Sequence, residues 1–428
     1  MSQNLLIILN FFLWFAPIAF YKKLSLIYIS IVSYLFSSSY WFDILLTIVF
    51  GSSFSVVVQE DYISLSLVYS CFAAVALHSG IFILFPREMK LADSVVRFAN
   101  DKLKKLPGRR YVIIIKLALN LLLCYFYLES FGYIGAYGRI EFQSLGLFWY
   151  SVLVPLVAVG YAYLIFLEYS CWGRVKASTF LSLYLYVFLY GYAGARRDTV
   201  MIVAALLVVL FLRKFVAQKN ENKSLVLNIV LLVILINFLA FGRSFSVGWG
   251  WIADIGVVDF DVLSALLKVT LAPMPTVHVN TLMLQYVESY GSEGYGSYIT
   301  SILNTIFPRF IFGDYLFGAP LSMRLHRDLG WSGLDFGFMA EAIYSGGLVG
   351  NVMAHFIFGL FIGFAGRRAK RGDLLFVILM MGILFGIVQS LRSDSMNLMK
   401  TIFYPTLLLY GASLLTRLRL RSRAKNSY

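Results

Sequence analysis

Apolar residues in this chain run in long, nearly unbroken stretches. They show neither the three-and-four spacing of a half-buried helix nor the alternation of a strand. The stretches fall at 4–20, 24–40, 43–58, 62–85, 111–128, 147–167, 177–194, 199–212, 225–241, 340–364, 374–391 and 398–415. A helix needs about 20 residues at 1.5 Å rise to cross about 30 Å of hydrocarbon, and shorter ones also cross. The pattern therefore predicts an all-α, polytopic membrane protein in which residues 1–428 form a single integral membrane domain. The count is twelve transmembrane helices, or eleven if 24–58 is one tilted helix plus a surface piece.

Composition points the same way. Of 428 residues, 60% are hydrophobic and only 14% are charged. A soluble domain carries about 45–50% apolar and about 25% charged residues. So few charges cannot cover a water-soluble globule of this size, which excludes a soluble enzyme. The first stretch lacks a basic leader and a small-residue cleavage site, so it reads as a retained helix. Cys71, Cys124 and Cys171 are widely spaced and lie in or beside apolar stretches, so they read as small core hydrophobes. The formal charge of +14 reflects cytoplasmic loops facing anionic lipid, not nucleic acid.

The basic residues also set the orientation. Arg87 to Arg110 holds eight Lys/Arg, Arg213 to Lys223 four, Arg367 to Arg371 four and the tail Arg417 to Lys425 five. The intervening stretches put all of these on one side with Arg174 and Lys176, so that side is the cytoplasm and holds the C-terminus. Lys22 and Lys23 lie outside if there are twelve crossings, or inside with an external N-terminus if there are eleven. Residues 242–339 form a large outer-face loop without a clean crossing, and a loop of that length is uncommon unless it is functional. Its shorter apolar runs at 261–272, 277–287 and 298–307 suit interfacial or re-entrant helices. Two inverted halves, as in many transporters, are not visible.

Some charges break the positive-inside pattern. Arg196 and Arg197 lie between two stretches on the outer face, Arg243 follows residues 225–241, and Arg392 follows residues 374–391. Ionisable residues at bilayer depth are functional candidates by default. Guanidinium stays charged and offers forked donors that match phosphate, so these arginines suggest an anion site. Lipid headgroups, or Asp198 and Asp394 nearby in sequence, are the competing partners. The outer loop adds Pro308-Arg309, His326 and Asp335, and Glu341 begins the stretch 340–364 beside Gly346, Gly347 and Gly350. Imidazole titrates near neutrality, which makes His326 the first candidate base. Glu341 equally suits a helix N-terminus, where the dipole favours a carboxylate.

There is no Walker A loop, dinucleotide fingerprint, zinc-protease helix or serine elbow, and the four histidines show no metal-ligand spacing. Nothing here calls for a nucleotide or a bound metal, and these absences fit a reaction on the outer face that draws on an already activated, membrane-held substrate. The layout resembles the Wzy-type O-antigen polymerase family. The resemblance is carried by the Gly194-Ala195-Arg196-Arg197 corner leading into an apolar stretch and by the large outer loop. It is carried further by Pro308-Arg309, followed about thirty residues later by the segment from Gly337 through Ala340-Glu341-Ala342-Ile343-Tyr344 to Gly350. The paired Arg-x10-Gly loop motifs of some members are absent.

The resemblance implies a C-type glycosyltransferase fold in the bacterial inner membrane, with its active face periplasmic. Its substrate would be an undecaprenyl-pyrophosphate-linked oligosaccharide repeat unit, and its partners membrane lipid and a chain-length regulator protein. Negative charge on the leaving pyrophosphate calls for preorganised cations, a role for Arg196, Arg197, Arg243, Arg392 and Arg309. The acceptor hydroxyl needs a base or an orienting carboxylate, and His326, Glu341 and Asp335 are the candidates. Trp249, Trp251, Tyr290, Tyr295 and Trp331 suit sugar stacking or an interfacial belt. Two other readings stay open: an O-antigen ligase that transfers the glycan to lipid A core, and a flippase for lipid-linked sugars. The charge-poor interiors of the stretches, where only Lys116 and Lys400 approach the ends, argue against the flippase.

Overall fold

The structure is a computed structural model. It describes residues 3–20, 60–84, 109–130, 152–192 except 173, parts of 227–235, 276–325 except 293, 295, 314 and 322, 337–390 except 371 and 372, and 395–425. Every regular element among the described residues is an α-helix: α1 Gln3–Phe20, α2 Glu60–Leu84, α3 Arg109–Ser130, α4 Val154–Trp172, α5 Ala177–Tyr192, α6 Thr276–Tyr290, α7 Gly296–Ile306, α8 Arg309–Phe312, α9 Phe338–Lys370, α10 Leu374–Ser390 and α11 Ser395–Lys425. The chain divides into two compact units. One comprises Met1–Glu88, Thr270–Arg367 and Gly386–Lys400; the other comprises Met89–Val269, Arg368–Phe385 and Thr401–Tyr428.

The described helices expose many large apolar side chains and bury several polar ones. On α9 the exposed large side chains are Val349, Met353, Ile357 and Phe364, while Asn351 and His355 are buried. The exposed positions turn basic only at Arg367 and Arg368, near the helix end. On α3, Arg109 and Arg110 are followed by exposed Ile113, Ile114, Leu117 and Leu121. On α1 and α2, Asn10, Ser66, Ser70 and His78 are buried, while Leu5, Ile8, Phe12, Leu65, Phe72 and Ile83 are exposed. Among the described residues, two helices, Asp61–Leu84 and Phe338–Ala369, are long and apolar enough to cross a membrane by length and composition.

In the first unit α2 is the hub. Asn10 of α1 donates to the Leu67 carbonyl (3.4 Å), and the Trp14 indole N–H donates to Ser70 (3.2 Å). At its N-terminal end, the Tyr62 hydroxyl donates to Glu288 at the end of α6. Towards its C-terminal end α2 meets α9 backbone to backbone. A Cβ on Gly80 would collide with the Phe356 carbonyl, and one on Gly359 with the Leu77 carbonyl. Small residues permit this approach, which is how helices associate where lipid removes the hydrophobic drive. Asn351 then donates to the Tyr69 carbonyl (2.8 Å).

The helix α9 is not straight. Gly346 (φ −171°, ψ 27°) and Gly347 (φ 58°, ψ −137°) leave helical geometry, and the second needs glycine because its φ is positive. In a straight helix Phe338 and His355 would lie about 25 Å apart along the axis. Their rings are instead 5.2 Å apart, and the Phe338 ring is 5.5 Å from Phe358. The segment 338–345 therefore doubles back along 348–370. Gly350 permits this fold, since a Cβ there would come within 2.5 Å of the Ala342 carbonyl. The remaining segment, 348–370, still has about 34 Å of helix.

The helical positions follow the sequence closely for eight of the stretches, from Gln3–Phe20 to Ser395–Lys425. The run 277–287 lies in α6, and the run 298–307 lies in α7 up to Ile306. The stretches 24–40, 43–58 and 199–212, most of 225–241, and the run 261–272 lie outside the described residues. Two expectations are corrected. The stretch 340–364 is a hairpin of two helices, because of the glycine pair. Cys124 is exposed on the apolar face of α3, whereas Cys71 is buried; none of the three cysteines forms a disulfide. Lys400, near the start of α11, is buried, 5% exposed.

Candidate functional site

The doubling-back of α9 carries Glu341 inside the first unit, where its side chain is 0% exposed. One carboxylate oxygen, Oε2, accepts the Ser395 backbone N–H at 2.6 Å. The other, Oε1, accepts the Ser395 hydroxyl at 3.0 Å and the Ser301 hydroxyl at 3.5 Å. Ser395 opens α11, so Glu341 supplies from another helix the acceptor that an N-terminal backbone donor lacks. A carboxylate there is also favoured by the helix dipole. The donors to its two oxygens offset part of the cost of burying it.

Around this carboxylate lies a seam of hydroxyls. Ser297 and Ser345 hydroxyls lie 2.7 Å apart, and Ser345 also donates to the Glu341 carbonyl (2.8 Å). The pairs Ser297–Ser345 and Ser301–Glu341 show that α7 runs antiparallel to the segment 338–345. Further along α7, Asn304 donates to the Gly318 carbonyl (2.9 Å), while its buried Oδ1 has no hydrogen-bond partner.

Lys400 lies about 7.5 Å further along α11 than Ser395. Its ammonium faces the Tyr315 ring with 5.9 Å to the centroid, and the Arg309 guanidinium faces the same ring at 5.3 Å. Arg309 also donates to the Gly313 carbonyl at 3.4 Å. It is only half-buried. Two cations thus meet at one phenol ring, which stabilises each through its π face. Through one helix, α11, the carboxylate and hydroxyl seam is tied to this cationic pair.

The second unit holds a comparable buried carboxylate with a different surrounding. Glu168 accepts the Lys176 backbone N–H (2.8 Å) and the Thr179 hydroxyl (2.8 Å), and pairs with Lys116 at 3.3 Å. Lys116 also donates to the Ser178 and Thr179 hydroxyls at 2.7 Å each. This carboxylate is compensated by a cation and closes the α4–α5 turn, so it reads as a structural lock.

Of the residues singled out in the sequence, Glu341 and Arg309 are described, and the structure ties both to α11. Arg196, Arg197, Arg243, His326, Asp335 and Arg392 lie outside the described residues, as do Trp249, Trp251, Tyr295 and Trp331. Tyr290 is exposed at the end of α6, with its ring 4.9 Å from Tyr286. The sequence reading missed Ser297, Ser301, Ser345, Ser395 and Tyr315. Serines among apolar residues are a weak signal in one dimension, and only the fold shows that they converge. No family model, curated protein or solved structure matches this chain.

Proposed function

We propose that this chain is a polytopic glycosyltransferase of the bacterial inner membrane. It polymerises undecaprenyl-pyrophosphate-linked oligosaccharide units on the periplasmic face, as the resemblance to Wzy-type polymerases implies. The observation that carries the proposal is the constellation joined by α11: the buried Glu341 carboxylate with its serine seam, and Arg309 with Lys400 on Tyr315. It is set among helices whose exposed faces are apolar. Buried polar groups with exposed apolar ones are what a hydrocarbon solvent selects, and water selects the reverse.

In this reading the acceptor sugar hydroxyl attacks the anomeric carbon of the growing chain. The bond from that carbon to the phosphate oxygen breaks, and undecaprenyl pyrophosphate leaves with the electron pair. Arg309 and Lys400 stabilise the charge on the leaving group, where preorganised cations contribute most; the sequence reading assigns the same role to Arg196, Arg197, Arg243 and Arg392. The proton of the acceptor hydroxyl passes to a base, for which His326 is the first candidate and Asp335 the next. Glu341 already accepts from Ser395 and Ser301, so it serves as the orienting carboxylate that holds the start of α11. Exposed Tyr290 offers a ring face to sugar.

The test is the purified protein in detergent with a synthetic undecaprenyl-pyrophosphate-linked repeat unit, resolved on a gel. A ladder spaced by one repeat supports polymerisation. Transfer only when lipid A core is supplied makes the chain a ligase. Lipid translocation in proteoliposomes without any transfer makes it a flippase.

A further inference from the structure

The helix α7 is inside out. Its Ser297, Ser301, Asn304 and Thr305 are buried, and its exposed side chains include Ile299 (59%), Ile302 (45%) and Ile306 (62%). These are two opposite faces of one helix at i, i+3, i+4 and i+7 spacing. The exposed apolar surface continues beyond it through Phe307, Ile311, Phe312, Leu316 and Phe317. The rings of Phe307, Phe312 and Phe317 gather there, with Phe307 5.8 Å from Phe312 and 5.6 Å from Phe317. A patch of this kind in water would be an aggregation or docking surface.

The geometry around it identifies what covers it. Ser297 pairs with Ser345 at the bend of α9, and Ser301 reaches Glu341 one turn further along the doubled-back segment. The helix α7 therefore runs from that bend alongside 338–345, the segment folded back onto the part of α9 that exposes Val349, Met353 and Ile357. Its eleven residues give about 16 Å of helix, roughly half of a hydrocarbon core of about 30 Å. Non-helical backbone at such depth is tolerated only where protein covers its polar groups. Here the Gly318 and Pro308 carbonyls do accept hydrogen bonds.

We infer that α7, α8 and the turn to Phe317 form a re-entrant element that enters the outer leaflet halfway, with the face Ile299, Ile302, Ile306 and Phe317 against lipid acyl chains. Its polar face then lines the Glu341 seam at membrane depth. This rests on the membrane reading above, and it assigns to hydrocarbon a segment that a linear reading gives to a periplasmic loop.

Single-cysteine chains test it, made in a background with Cys71→Ala, Cys124→Ala and Cys171→Ala. Ile299→Cys and Ile306→Cys report on α7, and Val349→Cys and Ile357→Cys report on α9. Each is labelled with an environment-sensitive fluorophore in phosphatidylcholine vesicles containing 5-doxyl or 12-doxyl lipid, and separately exposed to aqueous iodide. Normal size-exclusion elution of each labelled chain verifies its fold, and Ile302→Cys replaces any α7 variant that fails that check. The expected result is blue-shifted emission at all positions and no loss to iodide. The Ile299 label loses more intensity to 5-doxyl lipid and the Ile306 label more to 12-doxyl lipid. If the α9 labels are quenched by lipid while the α7 labels are quenched by iodide, or by neither, the inference falls and the membrane reading stands. Iodide quenching of the α9 labels overturns both.

Discussion

Glu341 and Ser395 are 54 positions apart in the chain, yet one carboxylate holds both the backbone N–H and the hydroxyl of that serine, at 2.6 and 3.0 Å. The pair joins the doubled-back segment of α9 to the first turn of α11, and so fixes where Lys400 lies. Glu341→Ala removes the acceptor of three buried donors, the Ser395 N–H and the Ser395 and Ser301 hydroxyls, and should cost about 3 kcal/mol. Ser395→Ala keeps the backbone bond and should cost about 1 kcal/mol. Thermal unfolding in detergent should rank them in that order. Glu341→Ala should also abolish polymer, with Ser395→Ala retaining most of it. Equal losses would mean the carboxylate does not anchor α11 through the backbone.

The three glycines after Glu341 should respond differently to alanine. Gly347→Ala forces a side chain onto φ 58°, ψ −137°, at a cost of about 2–3 kcal/mol. Gly350→Ala places a methyl 2.5 Å from the Ala342 carbonyl and should open the hairpin. Gly346→Ala should be close to neutral, because its φ of −171° is extended backbone open to any residue. Unfolding temperatures of the three variants give the comparison. A Gly346 variant as damaged as the Gly347 variant would argue against this bend.

In the second unit the Lys116–Glu168 pair should show coupling. Glu168→Leu removes the carboxylate shared by Lys116, the Lys176 N–H and the Thr179 hydroxyl and should cost about 3 kcal/mol. Lys116→Met should cost less, because Glu168 keeps the Lys176 N–H and the Thr179 hydroxyl. The double variant should fall by less than the sum of the two. A double-mutant cycle on unfolding in detergent measures this, and strict additivity would mean that the pair contributes nothing. Polymer formation per folded molecule should be unchanged by Lys116→Met.

How much of this was legible in one dimension depends on the type of signal. Helix positions were, because a run such as 62–85 is apolar on all sides and needs no knowledge of its neighbours. The break in 340–364 was only half legible. Gly346 and Gly347 were visible, but their doubling of the chain is fixed by Phe338 packing on His355 and Phe358. Glu341 stood out as a charge at the edge of an apolar run, and its partners Ser301 and Ser395 did not. Serines are common in apolar helices, and their meeting depends on three helices at once. Arg309 was found through its charge, whereas its meeting with Lys400 over Tyr315 comes only from tertiary packing. Cys124 shows the converse error. An apolar neighbourhood in sequence suggests a core, although on α3 the same neighbourhood faces outward.

Under the proposed function, Arg196, Arg197 and Arg243 should be essential to polymerisation and dispensable for insertion. Arg196→Ala, Arg197→Ala and Arg243→Ala should each abolish polymer while the protein fractionates with the inner membrane at normal abundance. The corresponding lysine variants should recover only part of it, because a single ammonium lacks the guanidinium fork that matches phosphate. Normal polymer in all three alanine variants would remove the pyrophosphate assignment from these residues.

The central claim is that chain growth is coupled to loss of a polyprenyl pyrophosphate. The most direct measurement is the amount of undecaprenyl pyrophosphate released by the purified protein from a synthetic lipid-linked repeat unit, without nucleotide, counted against glycosidic linkages formed. One pyrophosphate lipid per linkage, lost in Arg243→Ala and Glu341→Ala, is the predicted result. Consumption of the unit without released pyrophosphate lipid, or no consumption by a correctly folded wild-type protein, would contradict it.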